Sequence, residues 1–238
     1  MSSNINGFLY EEKIINNLLQ LGLSGVITEA AGASASAPDA DMKVDGKIFN
    51  IEIKMNKNAQ MGGTSIRWSD SKIKLVKQVD GEIEDLLIDA INNKKNDIIN
   101  LLSFISEKQK EDFNTFPITC EKEIWELAAK KNLLVNAKIK YDSNFIKEHY
   151  AKKNIYYMQI GEAGLFYLKE NPANLPIPEL NGEIDIEIRT GRSGSKKLKD
   201  GRKVVGGGIR VQGRLKTKNK SPYTLENIES IKRLIFSK

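Results

Sequence analysis

Apolar and polar positions along the chain alternate between two periods. Residues 4–21 set Phe8, Glu11, Ile15, Leu18 and Leu19 at helical spacing, and Gly22 and Gly25 follow as stop signals. A short strand and a loop of small residues, VITEAAGASASAPDA, come next. From 39 to 55 the period drops to two around Asp45-Gly46, the mark of a tight hairpin. Thr64 to Trp68 reads as a further strand. Helical spacing returns from Asp80 to about Asn114, with a break near Asn92-Asn93 that makes two helices. EKEIWELAAKK after Pro117 and the stretch 143–151 read as two more. NIYYMQIGEAGLFYLKE is a second hairpin, and Pro172, Pro176 and Pro178 mark an extended connection. EIDIEIR and RKVVGGGIRVQGRLK pair as a ribbon around the loop TGRSGSKKLKDG. SPYTLENIESIKRLIF closes the chain as a helix capped by Ser221, with Pro222 in its first turn.

This succession predicts an α/β fold. A mixed sheet has the 39–55 hairpin at its centre and is flanked by the first and middle helices, with an added C-terminal antiparallel β-ribbon. In chain order, 1–80 carries the core elements, 81–151 is helical, 152–220 holds the hairpins and basic ribbon, and 221–238 is the last helix. All are read as one domain, within the size range of a single core for 238 residues.

Composition removes several classes of function. No apolar run reaches the roughly 18 residues of a membrane span, and MSSNINGFLYEEK lacks the pattern of a secretory signal. A cytoplasmic protein is expected. The single cysteine, Cys120, excludes an internal disulfide and a cysteine-built zinc site. The single histidine, His149, leaves too few imidazoles for an HNH, zincin or histidine-based two-metal site; within KEHYAKK it reads as a surface residue. The net charge of +6 is unevenly spread: Arg189 to Lys220 holds twelve Lys or Arg against one acid, Asp200. Such a patch suits a polyanion.

The chemistry concentrates in PDADMKVDGKIFNIEIKMN, residues 38–56. With Asp45-Gly46 as the turn, Asp39 falls opposite Glu52, and Asp41 and Lys54 share that face; with Gly46-Lys47 as the turn, Asp41 opposes Glu52. Either register sets an acid against Glu52, while Met42, Val44, Ile51 and Ile53 form an apolar face. Two adjacent carboxylates repel, and a bridging Mg2+ or Mn2+ relieves them. Lys54, on the same side, is placed to orient or help deprotonate a water, or to stabilise a phosphate in transition. The plainer alternative is a charged outer face of a hairpin. Asp45 is read as turn chemistry only.

Pro38-Asp39 followed by Glu52-Ile53-Lys54 on an apolar strand resembles the PD-(D/E)xK nucleases, the restriction-endonuclease-like superfamily. Gly7-Phe8-Leu9-Tyr10-Glu11, with Ile14 and Leu18 after it, resembles the helix glutamate many members carry; Glu12 is the neighbouring alternative. Gln60 resembles the polar residue they place beyond the catalytic lysine. The likeness covers roughly residues 5 to 68. It implies metal ligands at Asp39 or Asp41 and Glu52, catalytic roles for Lys54, Glu11 and Gln60, duplex DNA as substrate, and often a homodimer.

Arg189, Arg210, Gln212, Arg214 and Lys216 on the ribbon, with Arg192, Lys196, Lys197, Lys199 and Arg202 in its loop, are the candidate DNA contacts. Tyr156, Tyr157, Phe166, Tyr167, Trp68 and Trp125 are read as packing residues. The expected activity is a metal-dependent DNA endonuclease of restriction or homing type. A junction resolvase and a non-catalytic nucleic-acid-binding protein are the alternatives.

Overall fold

The computed structural model describes residues 3–27, 29, 38–56, 58, 60–69, 72–76, 81–113 and 115–236. Along the chain run α1 (Ser3–Gln20), β1 (Ala40–Val44), β2 (Lys47–Lys54), β3 (Gln60–Ser69), β4 (Lys72–Leu75), α2 (Gly81–Asn92), α3 (Lys95–Gln109), β5 (Thr115–Phe116) and β6 (Ile118–Glu121). There follow α4 (Lys122–Lys130), β7 (Asn136–Asp142), α5 (Asn144–Lys152), β8 (Ile155–Ile160), β9 (Gly164–Tyr167), β10 (Gly182–Lys197), β11 (Lys203–Thr217) and α6 (Ile228–Phe236). The fold is mixed α/β with two sheets. Two compact units form, one from 1–59, 141–184 and 215–238, the other from 60–140 and 185–214. Among the described residues no helix is long and apolar enough to cross a membrane.

The first unit is built on a four-stranded sheet of order β1-β2-β8-β9. Asp45 and Gly46, both at positive φ (48° and 77°), make the two-residue turn that a right-twisted hairpin prefers. The register is set by it: Val44 faces Lys47, Met42 faces Phe49 and Ala40 faces Ile51. The hairpin is not central as a whole. β1 is an edge, and β2 lies inside because β8 joins it in parallel, Glu52 beside Met158 and Lys54 beside Ile160. The apolar face of the hairpin, Ala40, Met42, Ile51 and Ile53, packs with Ile14, Ile15 and Leu18 of α1 and with Leu225, Ile231 and Leu234. α1 stops at Gly22 (φ 65°), where Leu23 N–H donates to Leu18 C=O and Gly22 N–H to Leu19 C=O, a Schellman closure.

The last helix begins at Ile228 rather than Ser221. Its cap is Asn227, whose Oδ1 accepts from Ser230 N–H at 2.8 Å. Residues 221–225 are committed elsewhere: Ser221 N–H donates to Ala163 C=O, Tyr223 C=O accepts from Leu165 N–H, and Leu225 N–H donates to the Gln159 side chain.

The second unit holds a seven-stranded sheet with the path β4-β3-β11-β10-β7; β5 pairs with β3 and β6 with β11. β5, β6 and β7 are strands that the sequence pattern did not mark. One face buries Ile66, Trp68, Ile186, Ile188, Val205, Ile209 and Val211. Helices α2 and α3 bury Ile83, Leu87, Ile91, Ile98, Leu101 and Ile105. Within the Gly206–Gly208 run, any Cβ on Gly207 would run into the Trp125 ring of α4. The basic loop is mostly strand, since β10 continues to Lys197 and β11 resumes at Lys203. Only 198–202 turns, closed by Leu198 N–H to Arg202 C=O at 2.8 Å.

Gly161 connects β8 to the end of β2. Its N–H donates to Lys54 C=O at 2.8 Å, and a Cβ there would overlap the Met55 carbonyl oxygen. Gly161→Ala is therefore expected to destabilise the first unit by about 2 kcal/mol or more. Thermal unfolding followed by circular dichroism checks this, and an unchanged midpoint would refute the close approach.

Candidate active site

Four ionisable side chains of the first unit act on one another at the C-terminal end of β2. Glu52 and Lys54 come from β2 itself, two residues apart and so on one face. Asp39 precedes β1 and accepts a hydrogen bond from Ile53 N–H at 2.8 Å. Glu11 lies one turn before Ile14 and Ile15 on the inward stripe of α1. Glu52 is only 7% exposed. Its Oε1 accepts from the Lys54 ammonium and from the Tyr150 hydroxyl, the latter at 2.9 Å.

The electrostatics of the group are those of crowded acids around one cation. Burial, then the negative charge of Glu52, pushes the Asp39 carboxyl up to about 6, against the pull of Lys54 and the Ile53 N–H. Burial, then Asp39, pushes Glu11 up to about 7, with Glu52 adding and Lys54 opposing. Burial alone would lower Lys54, but Glu52, Tyr150 and Asp39 outweigh it and hold the ammonium above its usual range. Lys54 is thus a fixed positive charge and not a resting base. The Tyr150 hydroxyl is raised well above the ordinary phenol value, first by burial.

Two further contacts fix Glu11. The adjacent Tyr10 hydroxyl donates to Glu226 Oε1 at 2.9 Å and accepts from Gln159 Nε2 at 3.2 Å. Gln159, wholly buried, also donates to Thr224 Oγ1 at 3.1 Å. This network ties α1 to β8 and to the segment before α6. Among the described residues, Glu11 Oε2 is buried without a hydrogen-bond partner.

The two aspartates have separate fates. Asp39 joins the acidic group. Asp41, 2% exposed, is used by the backbone: its carboxylate accepts from Gly25, Val26 and Ile27 N–H at 2.7, 2.6 and 3.2 Å. Of the two registers open in the sequence, the structure has the one that sets Asp41 beside Asn50 and leaves Asp39 toward Glu52. Asp41, the other candidate metal ligand, serves as a loop anchor, with three N–H groups of that turn on its carboxylate. Gln60 opens β3 in the second unit, exposed, where its amide lies over Gly63.

His149 is not a surface residue. It is 5% exposed, and its ring meets that of Tyr150 edge-on at 5.1 Å between centroids. Tyr150 itself was missed by the sequence reading. Its signal was spacing: it falls four residues after Ile146 on α5, and both are buried.

The ribbon cations are partly engaged. Glu187 accepts from Gln212 at 2.9 Å and from Arg189 at 3.1 Å, with Arg214 at 3.6 Å. Arg202 bonds Asp200 and Glu121, and Arg192 lies 3.5 Å from Glu126. Lys196, Lys197, Lys199 and Arg210 are exposed, and Lys216 is half-buried.

Among the described residues, no three His, Cys, Asp or Glu side chains already converge as a metal cage. The donor chemistry nevertheless fits a hard divalent cation: Glu11, Asp39 and Glu52 offer only oxygens, repel one another, and leave Glu11 Oε2 without a partner. No known protein family matches the chain, no curated protein is significantly similar to it, and no solved structure matches it.

Two predictions follow from these positions. In chelator, the folded state keeps protons on Glu11 and Asp39 that the unfolded chain releases above pH 4.5. Their contribution to stability is therefore present at low pH and lost as pH rises toward 7. Glu11→Gln is expected to match wild type near pH 4 and to be more stable by roughly 1 kcal/mol at pH 8, solvent screening included. Urea unfolding at both pH values measures it; a less stable variant at pH 8 would mean that Glu11 is held as an ion. Asp41→Ala leaves three N–H groups without their acceptor and is expected to cost about 3 kcal/mol at pH 7. The same unfolding assay reads it, and a cost below about 0.5 kcal/mol would remove Asp41 as the anchor.

Proposed function

We propose that the first unit is the catalytic centre of a metal-dependent DNA endonuclease of the PD-(D/E)xK kind, on a restriction-endonuclease-like core. The observation that carries this reading is the meeting of Glu11, Asp39, Glu52 and Lys54, drawn from a helix and two strand ends, with burial first and then a neighbouring carboxylate (Asp39 for Glu11, Glu52 for Asp39) pushing Glu11 and Asp39 up. All four are residues the sequence resemblance implied; Gln60 and Asp41, also implied, are not among the groups that act on one another here.

Asp39, Glu52 and Glu11 would hold Mg2+ or Mn2+, which supplies Lewis-acid polarisation of a phosphate and a more acidic bound water. The remaining chemistry belongs to the chain. Lys54 keeps its proton and is placed to neutralise charge that develops on a phosphoryl oxygen. Glu52 and Tyr150 orient it: the carboxylate anchors the ammonium, and the phenol fixes that carboxylate from α5. Tyr10, Gln159 and Glu226 hold the helix that carries Glu11. The cationic second unit supplies the affinity for DNA.

A non-catalytic nucleic-acid-binding protein is the second reading. It is favoured by one observation, that Lys54 already serves as the internal counter-ion of Glu52.

Cleavage of supercoiled plasmid and of a branched DNA separates the two. Wild type with Mg2+ or Mn2+ is expected to cut, EDTA to abolish cutting, and Lys54→Ala to lower the rate by about 10²-fold or more. Tyr150→Phe is expected to lose about tenfold, since Glu52 stays in place. Preference for the branched substrate would make the enzyme a resolvase. Metal-independent binding with no cleavage of either DNA, equal in wild type and Lys54→Ala, would favour the second reading.

A further inference from the structure

The seven-stranded sheet has one face in the core; on the other, exposed at Arg67, Lys72, Lys74, Arg210 and Arg189 but buried at Asp185, cations stand across five strands. The pairings place its side chains. Arg67 stands directly opposite Lys74, Lys72 follows on the same side of β4, and Arg210 opposes Ser65, two residues from Arg67. The alternate positions, Ile66, Trp68, Ile209 and Val211, are the buried ones. On β10 the same side carries Glu187 and Arg189, fixed there by the Gln212 and Arg214 contacts to Glu187. Lys138 of β7 reaches Asp185 at 2.7 Å, so β7 continues the face.

Among the described residues, the acids on this face are paired. Asp185 is paired with Lys138, and Glu187 takes Gln212, Arg189 and Arg214. Burial and mutual pairing leave Arg67, Lys72, Lys74 and Arg210 as an exposed surplus of positive charge on β4, β3 and β11. Arg67 directly opposite Lys74 is a like-charge cross-strand pair, which costs stability when nothing anionic lies over it.

We propose that this open sheet face, rather than the tip of the β10–β11 ribbon, is the surface that holds duplex DNA, by its phosphates. At about 4.8 Å between neighbours, the three strands that carry the surplus cations span roughly 10 Å, close to the roughly 12 Å width of a major groove, so the cations lie along the phosphates that line it. Single strands are held largely by stacking on aromatic side chains. The positions named on this face are Arg, Lys, Gln, Ser and acidic residues, and the unit's Trp68, Phe116 and Trp125 are buried. The inference deepens the proposed action on DNA, but its test needs no cleavage.

Binding of a short fluorescent DNA duplex is measured by anisotropy in EDTA at several salt concentrations. The triple variant Arg67→Ala, Lys74→Ala, Arg210→Ala is expected to bind about tenfold or more weakly, and its slope of log affinity against log salt to fall by about 2 to 3. Its thermal midpoint is expected to hold or rise, because a repulsive pair is removed. The tip variant Lys196→Ala, Lys197→Ala, Lys199→Ala is expected to lose less than about threefold. Arg210→Gln alone, a single exposed change, gives a smaller loss of the same kind should the triple variant unfold. Loss at the tip with the face variant unchanged would overturn the proposal, as would tighter binding of the matching single strand. If the face variant loses binding while wild type cuts no DNA, the surface stands and the nuclease reading falls.

Discussion

Repulsion among buried acids is the constraint around which the first unit is arranged. Asp39 and Glu52 raise the cost of ionising Glu11, Glu52 raises that of Asp39, and Lys54 offsets both from within. A fold that merely needed a stable hairpin end would gain by replacing such a group with apolar residues of similar volume. Instead the surroundings hold the acids in place. Gly161 lets β8 approach the end of β2, Tyr150 braces Glu52 from α5, and the Tyr10–Gln159–Glu226 chain fixes the helix before Glu11. Each brace comes from a segment remote in sequence. The cost of the cluster is spread over the whole unit, which is how strained functional groups persist.

The second unit works by the opposite sign and a looser geometry. Its cations lie on a sheet face, and under the proposal that they hold a duplex they need no fine placement, since phosphate contacts position a duplex without reading it. The pairing of Glu187 with Gln212, Arg189 and Arg214 is a local order imposed on that face. It removes Arg189 and Arg214 from simple charge attraction, and it shifts weight to Arg67, Lys72, Lys74 and Arg210.

Much of the hairpin and its chemistry was legible because the signals are local. Asp45-Gly46 at a change of period specifies a two-residue turn, and the strict alternation of β2 puts Glu52 and Lys54 together. The choice between Asp39 and Asp41 was not legible. Both lie on the polar side, and the partner that claims Asp41 is the backbone of residues 25–27, whose conformation no pattern specifies. His149 was read as helix surface, and Tyr150 was passed over, because a short polar helix hides which side meets the sheet. β7 was missed since NAKIKYD carries few large apolar residues and finds its partner, β10, far along the chain. α6 starts late because Tyr223 and Leu225 bond to β8–β9 residues, a tertiary contact that overrides local helix signals.

The central claim is that these acids are kept together for a divalent cation. Calorimetric titration of Mn2+ into the protein at pH 7, repeated in buffers of different ionisation enthalpy, tests it most directly. The account predicts binding with release of protons, because at pH 7 without metal Glu11 keeps its proton about half of the time and Asp39 a smaller part of the time. It also predicts that Asp39→Asn binds much more weakly and that Asp41→Asn binds as wild type. No binding, or binding indifferent to Asp39, would contradict it and leave the cluster a structural ion group centred on Lys54.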